Sequence, residues 1–158
     1  MTIRTDSPEV TRAVAAALGE LLLPGDLVLL AGDLGAGKTA FTQGLAHGLG
    51  VDEPVTSPTF TIVQEYDGRL PLTHVDVYRL ERVQDLHDLG FDELVDDGVT
   101  VVEWGDLVEQ VVPPEHLIVR IAPGDAYTER VLDLSFHGTR WHARRPAIEQ
   151  ALSAPVAG

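Results

Sequence analysis

The stretch Gly32-Asp33-Leu34-Gly35-Ala36-Gly37-Lys38-Thr39 constrains this chain more than any other. It fits the spacing G-x-x-x-x-G-K-[ST], in which each fixed position answers to a chain of phosphates. Glycine at 32, 35 and 37 lets the backbone take angles that a Cβ would forbid, so successive N–H groups turn inward as an anion-binding nest. A helix opening near Lys38 adds its own unpaired N–H groups and the positive end of its dipole. Asp33, Leu34, Gly35, Ala36, Gly37, Lys38, Thr39 and Ala40 are therefore the candidate nucleotide-binding residues. Lys38 is placed to reach β- and γ-phosphates, and the Thr39 hydroxyl to ligate Mg²⁺.

The flanks have the order this loop requires. Leu27 to Ala31, behind Pro24-Gly25, is a short apolar run that reads as a buried strand. After the loop, Phe41, Leu45 and Leu49 recur at helical spacing, and Gly50 can end the helix. Lys38 is also the only lysine among eleven basic residues. A compact charge on a flexible stem suits phosphate oxygens, which sets this position apart from the arginines elsewhere.

Composition narrows the remaining choices. The 158 residues suit one domain, expected over 1–150 with a flexible tail at 151–158. With no cysteine, disulfides, thiolate metal sites and cysteine nucleophiles are excluded. Pro24-Gly25-Asp26 splits the apolar runs long before membrane-spanning length, and residues 1–6 lack a signal-peptide apolar region. A soluble, cytoplasmic protein is expected. The formal charge of −14 argues against nucleic-acid binding over a broad surface and suits protein partners with basic patches.

Elsewhere the chain offers fewer signals. Ser7-Pro8-Glu9 predicts a helix start, with Val10, Ala13, Val14, Ala17, Leu18 and Leu21 as its apolar stripe. Hairpins are expected from Thr59 to Tyr78 around Asp67-Gly68-Arg69, and from His116 to Phe136 around Pro123-Gly124-Asp125. Val55-Thr56-Ser57-Pro58-Thr59-Phe60 reads either as a plain turn or as a switch segment sensing a γ-phosphate. Alternation puts His74, Asp76 and Tyr78 on one strand face, where Asp76 either serves Mg²⁺ or a catalytic water, or joins a core cluster with Arg79. His74 by itself reads as structural. Arg82 to Asp97 predicts an acidic helix with a solvated face. Val99 to Trp104 is a mostly apolar strand ending in a carboxylate, which predicts Glu103 beside a nucleotide crevice. Trp104 covers that site, stacks on the base, or packs at the strand end. Arg140, Arg144 and Arg145, with His137 and His142, form a local basic patch that meets either a phosphate or acidic partner, or carboxylates of the chain itself.

Four segments together resemble one family. Gly32 to Thr39, Thr56-Ser57-Pro58-Thr59-Phe60, His74-Val75-Asp76-Val77-Tyr78-Arg79 and Val102-Glu103-Trp104 stand in the order and spacing of bacterial TsaE proteins, across roughly residues 5 to 136. The resemblance implies an ATPase of the threonylcarbamoyladenosine (t6A) tRNA modification pathway, using ATP and Mg²⁺ and acting with TsaB and TsaD. Contact with tRNA would come only through that complex. It further implies that Lys38 and Thr39 hold phosphate and Mg²⁺, and that Glu103 completes the Mg²⁺ site. Asp76 would be a second catalytic carboxylate, Thr59 part of the switch-like segment, and Trp104 close to the nucleotide. Arg130 is the arginine available for the position that the family often fills after the last hairpin's glycine. The fold expected is α/β: a three-layer phosphate-loop NTPase with a mainly parallel central sheet and antiparallel hairpin strands. A small-molecule kinase and a nucleotide-gated partner subunit with incidental hydrolysis are the competing functions.

Overall fold

The computed structural model describes residues 1–32, 37–56, 63–76, 97–104, 109 and 112–157, with side chains to residue 153. Among these lie seven strands and three helices: β1 (Thr2–Thr5), α1 (Pro8–Gly19), β2 (Leu27–Ala31), α2 (Lys38–Gly48), β3 (Val63–Tyr66), β4 (Leu72–Asp76), β5 (Val99–Glu103), β6 (His116–Pro123), β7 (Arg130–His137) and α3 (Thr139–Ala157). The strands form one sheet in the order β1-β7-β6-β2-β5-β4-β3. β6, β2, β5 and β4 run parallel, β3 and β7 pair antiparallel on either side of them, and β1 pairs antiparallel with β7 at the edge. The chain is thus an α/β protein with a mixed sheet that is parallel at its centre, and both expected hairpins form. The expected helix over Arg82 to Asp97 lies outside the described residues.

The central strands are rich in Val, Leu and Ile because both their faces are covered. Every residue of β2 and of β5 is buried. Val28 and Leu30 of β2, Val99 and Val101 of β5, and Leu117, Val119 and Ile121 of β6 share one core with Val14 and Leu18 of α1, Phe41 and Leu45 of α2, and Trp141, Ile148 and Leu152 of α3. Alternation sends Leu27, Leu29, Val75, Val102 and Ile118 to the opposite face, where they too are buried.

α1 starts as its sequence demands. Ser7 is the N-cap, its hydroxyl accepting from the Val10 N–H at 3.2 Å, and Pro8 opens the first turn. Its inward face differs from the apolar stripe, however. Ala13 is exposed, whereas Thr11 and Ala15 are buried. Two contacts rotate the helix. Thr11 shares a hydrogen bond with Thr5 at 2.6 Å, and Ala15 lies where α1 crosses α2 through small residues. A Cβ on Gly44 would meet the Arg12 carbonyl oxygen, with the Arg12 Cα at 2.7 Å and the Ala15 Cβ at 2.8 Å. A Cβ on Gly48 would likewise run into the Ala16 backbone.

Gly44→Ala is accordingly expected to destabilise the fold. Alanine's helix propensity favours the variant by about 1 kcal/mol, but forcing two backbones apart costs about 1–3 kcal/mol and can exceed that. A lower urea midpoint with an unchanged slope is the expected result. A higher midpoint would show that the crossing yields freely.

Candidate functional site

β2 delivers the chain to Gly32 at the carboxyl edge of the parallel strands, and α2 begins at Lys38. Between them, Asp33, Leu34, Gly35 and Ala36 lie outside the described residues, as does Thr59. Gly37 is the N-cap of α2 with φ of 109°, a left-handed conformation that disfavours any side chain. Gly37 itself has no side chain with which to cap this helix start. Thr39 and Ala40 follow in the first turn, both partly exposed. The N-terminus of α2 therefore points its first N–H groups and its dipole at the carboxyl edge of the sheet.

Lys38 is buried against this edge. Its Nζ donates to the Gly32 carbonyl at 2.6 Å and sits 4.0 Å from the centroid of the Trp104 ring. That cation–π contact joins the loop to the end of β5. Trp104 follows β5 directly and takes φ of 62°, rare for a bulky residue and worth about 1–3 kcal/mol of strain. The turn at Trp104 brings the indole over the lysine instead of continuing the strand.

The two acidic candidates lie on neighbouring strands. Asp76 is the last described residue of β4, Glu103 is the last residue of β5, and they are register partners. In-register residues on parallel strands share a face, about 4.8 Å apart. Glu103 is also opposite Leu30 of β2, so both carboxylates lie one strand or two from the strand that feeds the loop. Glu103 is 4 % exposed, and burying a carboxylate that deeply requires a partner. His74 supplies it: Nε2 of His74 and Oε2 of Glu103 are 2.5 Å apart. With Glu103 ionised, the Nε2–H donates, fixing the orientation of the carboxylate.

The contact of His74 with Glu103 is what sequence reasoning missed: a residue that reads as structural holds a candidate metal ligand. The signal was available, since alternation already put His74 on the Asp76 face, two residues upstream. What sequence could not supply was the pairing of β4 with β5 that sets His74 beside Val101 and Glu103 within reach.

Arg130 reaches the same edge from β7. It is the register partner of Pro123 at the carboxyl end of β6, and its Nη1 donates to the Tyr127 and Glu129 carbonyls at 2.8 and 2.7 Å. Its Nε lies 3.7 Å from where a Cβ on Gly37 would stand. A side chain at 37 would have room beside the arginine, so the objection to it is the left-handed backbone and not a clash. Lys38, Asp76, Glu103, Trp104 and Arg130, distant in sequence, are brought together around the start of α2.

The basic patch divides differently. Arg144 forms two bonds to Asp26, Nη1 to Oδ1 at 2.8 Å and Nη2 to Oδ2 at 2.9 Å, and Arg145 pairs with Glu149 at 2.7 Å. Of the two readings, balancing the chain's own carboxylates describes both arginines.

Fold and edge define a class: an α/β protein whose mixed sheet gathers a helix-start lysine, two carboxylates and an arginine at the carboxyl ends of its parallel strands. The family model described as threonylcarbamoyl adenosine biosynthesis protein TsaE matches residues 5–131, and this chain belongs to the TsaE family. It is 49 % identical over 141 residues to the tRNA threonylcarbamoyladenosine biosynthesis protein TsaE of Bacillus subtilis, covering 87 % of each chain. Identity to the protein of the same name from Streptomyces coelicolor is 44 % over 138 residues, 82 % of this chain and 93 % of that one. The crystal structure of Bacillus subtilis YdiB superposes with a TM-score of 0.76 at 39 % identity, over 95 % of this chain and 94 % of that one. Among the described residues no helix is long and apolar enough to cross a membrane.

Proposed function

We propose that this chain is the ATP-binding and ATP-hydrolysing member of the t6A37 tRNA modification machinery, a cytoplasmic protein that works with TsaB- and TsaD-like partners and meets tRNA only through them. Family membership supports the pathway. The observation that carries the chemistry is that Lys38, Asp76 and Glu103 all lie at the carboxyl edge of the parallel strands, where the glycine-led α2 begins.

The residues present fit ATP and Mg²⁺. The first N–H groups of α2 and the Lys38 ammonium offer donors of the kind that phosphate oxygens accept. Thr39 and Glu103 are the Mg²⁺ ligands in this reading, one a hydroxyl in the first helical turn and the other a carboxylate oriented by His74. When bound, Mg²⁺ neutralises charge on the β- and γ-phosphates. Asp76, the register neighbour of Glu103, serves as the second catalytic carboxylate. Trp104 shields the lysine from water, and the Arg130 guanidinium adds positive charge beside Gly37. Gly32-Asp33-Leu34-Gly35-Ala36-Gly37 forms the cradle itself. Thr59 transmits the presence of the γ-phosphate to the docking surface.

Glu103→Gln tests the metal assignment. An amide oxygen is a poorer ligand for a hard cation, so half-maximal hydrolysis is expected at higher Mg²⁺. The His74 N–H can still donate to the amide oxygen, which keeps the variant folded. Unchanged activity at limiting Mg²⁺ would pass the ligand role to Asp76. The docking role of Thr59 has its own test: partner proteins should be retained with ATP and released with ADP, and Thr59→Ala should weaken the ATP-dependent retention. Equal retention with either nucleotide would remove Thr59 from the relay.

A further inference from the structure

The opposite edge of the sheet carries a second cluster. His116 opens β6, and because β6 is parallel to β2, this is the end remote from the glycine loop. Its register partner is His137, the last residue of β7, and the two imidazoles lie with centroids 4.8 Å apart. Glu109, from the connection between β5 and β6, joins them. One ligand atom from each of Glu109, His116 and His137 lies within 4.8 Å of the others.

His116 gives the cluster its direction. The residue is 4 % exposed, and its Nδ1 is 2.8 Å from the Pro113 carbonyl oxygen. A carbonyl only accepts, so Nδ1 carries the proton, and in the neutral ring Nε2 presents a lone pair. That Nε2 is buried and has no hydrogen-bond partner among the described residues. Leaving such an atom unsatisfied is unfavourable, and buried polar groups almost always have partners. A ring whose Nδ1–H is tied to a backbone carbonyl while Nε2 is held out bare is the usual arrangement of a metal-binding histidine.

We propose that Glu109, His116 and His137 form a binding site for a divalent transition cation of the Zn²⁺ class, with one position left for water or another ligand. Two imidazoles and one carboxylate suit Zn²⁺ better than Mg²⁺ or Ca²⁺, which prefer all-oxygen shells. Tetrahedral ligand atoms about 2.0–2.2 Å from the metal stand about 3.3 Å from one another, so the three side chains close by roughly an ångström or so on binding. Arg120 competes for Glu109, with Nη2 and Oε2 3.6 Å apart, but this is a half-exposed pair of small worth. The bound cation ties the β5–β6 connection to the β6–β7 hairpin. The site stands apart from the nucleotide reading and does not depend on it.

Chelator-stripped full-length protein titrated with Zn²⁺, and separately with Co²⁺, tests the proposal without nucleotide present. One equivalent should bind, Co²⁺ should show the strong visible d–d bands of a four-coordinate site containing nitrogen, and Zn²⁺ should raise Tm. His137→Gln and Glu109→Gln, both at partly exposed positions, should each weaken binding at least about tenfold. Absence of binding, a six-coordinate all-oxygen Co²⁺ spectrum, or affinity that either substitution leaves unchanged would overturn it.

Discussion

Lys38→Ala is expected to lower Mg²⁺-dependent ATP hydrolysis by about 10²–10³-fold while leaving a folded protein. The size follows from removing one preorganised charge aimed at charge that develops in the transition state, worth about 3–4 kcal/mol. The fold should survive because α2 is held by its apolar anchors and not by the lysine. Nζ donates to the Gly32 carbonyl and lies over the Trp104 ring, while α2 itself is anchored by Phe41, Leu45 and Leu49, all fully buried. Alanine is the best helix former, so the first turn does not suffer. Circular dichroism and a denaturation midpoint close to those of the parent should accompany the loss. Near-parental turnover in a folded variant would remove the lysine, and with it the glycine loop, from the chemistry.

Arg144→Ala should have the largest effect on stability. Asp26 is 2 % exposed and immediately precedes β2, the central strand. Its two oxygens accept from Arg144, and Oδ2 also accepts from the Leu23 N–H at 2.7 Å. Arg144 further donates to the Leu21 carbonyl at 2.8 Å and lies 4.6 Å from the Trp141 ring. Removing the guanidinium strands a buried carboxylate, a change that costs about 3–5 kcal/mol. Against a total stability of about 5–15 kcal/mol for a typical domain, that brings the protein close to unfolding at room temperature. Asp26→Asn in the same chain should recover part of the loss, because the amide oxygen still accepts from Leu23 while the unpaired charge is gone. A loss below about 1 kcal/mol would class the pair with ordinary surface bridges.

What could be read in advance was local. Gly32 to Thr39, the apolar run before it and the helical spacing after it are contiguous signals, and the structure places β2 and α2 around them. Glu103 is legible as the carboxylate that ends a mostly apolar run, and Asp76 through the polar face that alternation gives its strand. The unread features all depend on pairings across long stretches of chain. β1 is four residues with alternating polarity, and only its register with β7 makes it a strand. Asp26 and Arg144 are 118 residues apart, and nothing near either announces the other. Glu103 and His74 are 29 apart and meet only because β4 lies beside β5. The face of α1 was misjudged for a different reason. Hydrophobic periodicity weighs large side chains, whereas the α1–α2 crossing is set by the smallest ones, Ala15, Gly44 and Gly48.

Slow turnover by the isolated chain is part of the same account. No glutamine or arginine stands in a recognisable water-positioning or finger motif, and phosphate-loop enzymes lacking these parts gain them from a partner, with effects reaching roughly 10³–10⁵ in rate. The most direct measurement is steady-state ATP hydrolysis with Mg²⁺ by the purified chain, alone and with TsaB and TsaD from the same cell. The account predicts slow hydrolysis alone, a marked rise with the partners, and loss of that rise in Lys38→Ala. Fast hydrolysis alone that the partners leave unchanged, or no hydrolysis under either condition, would contradict it.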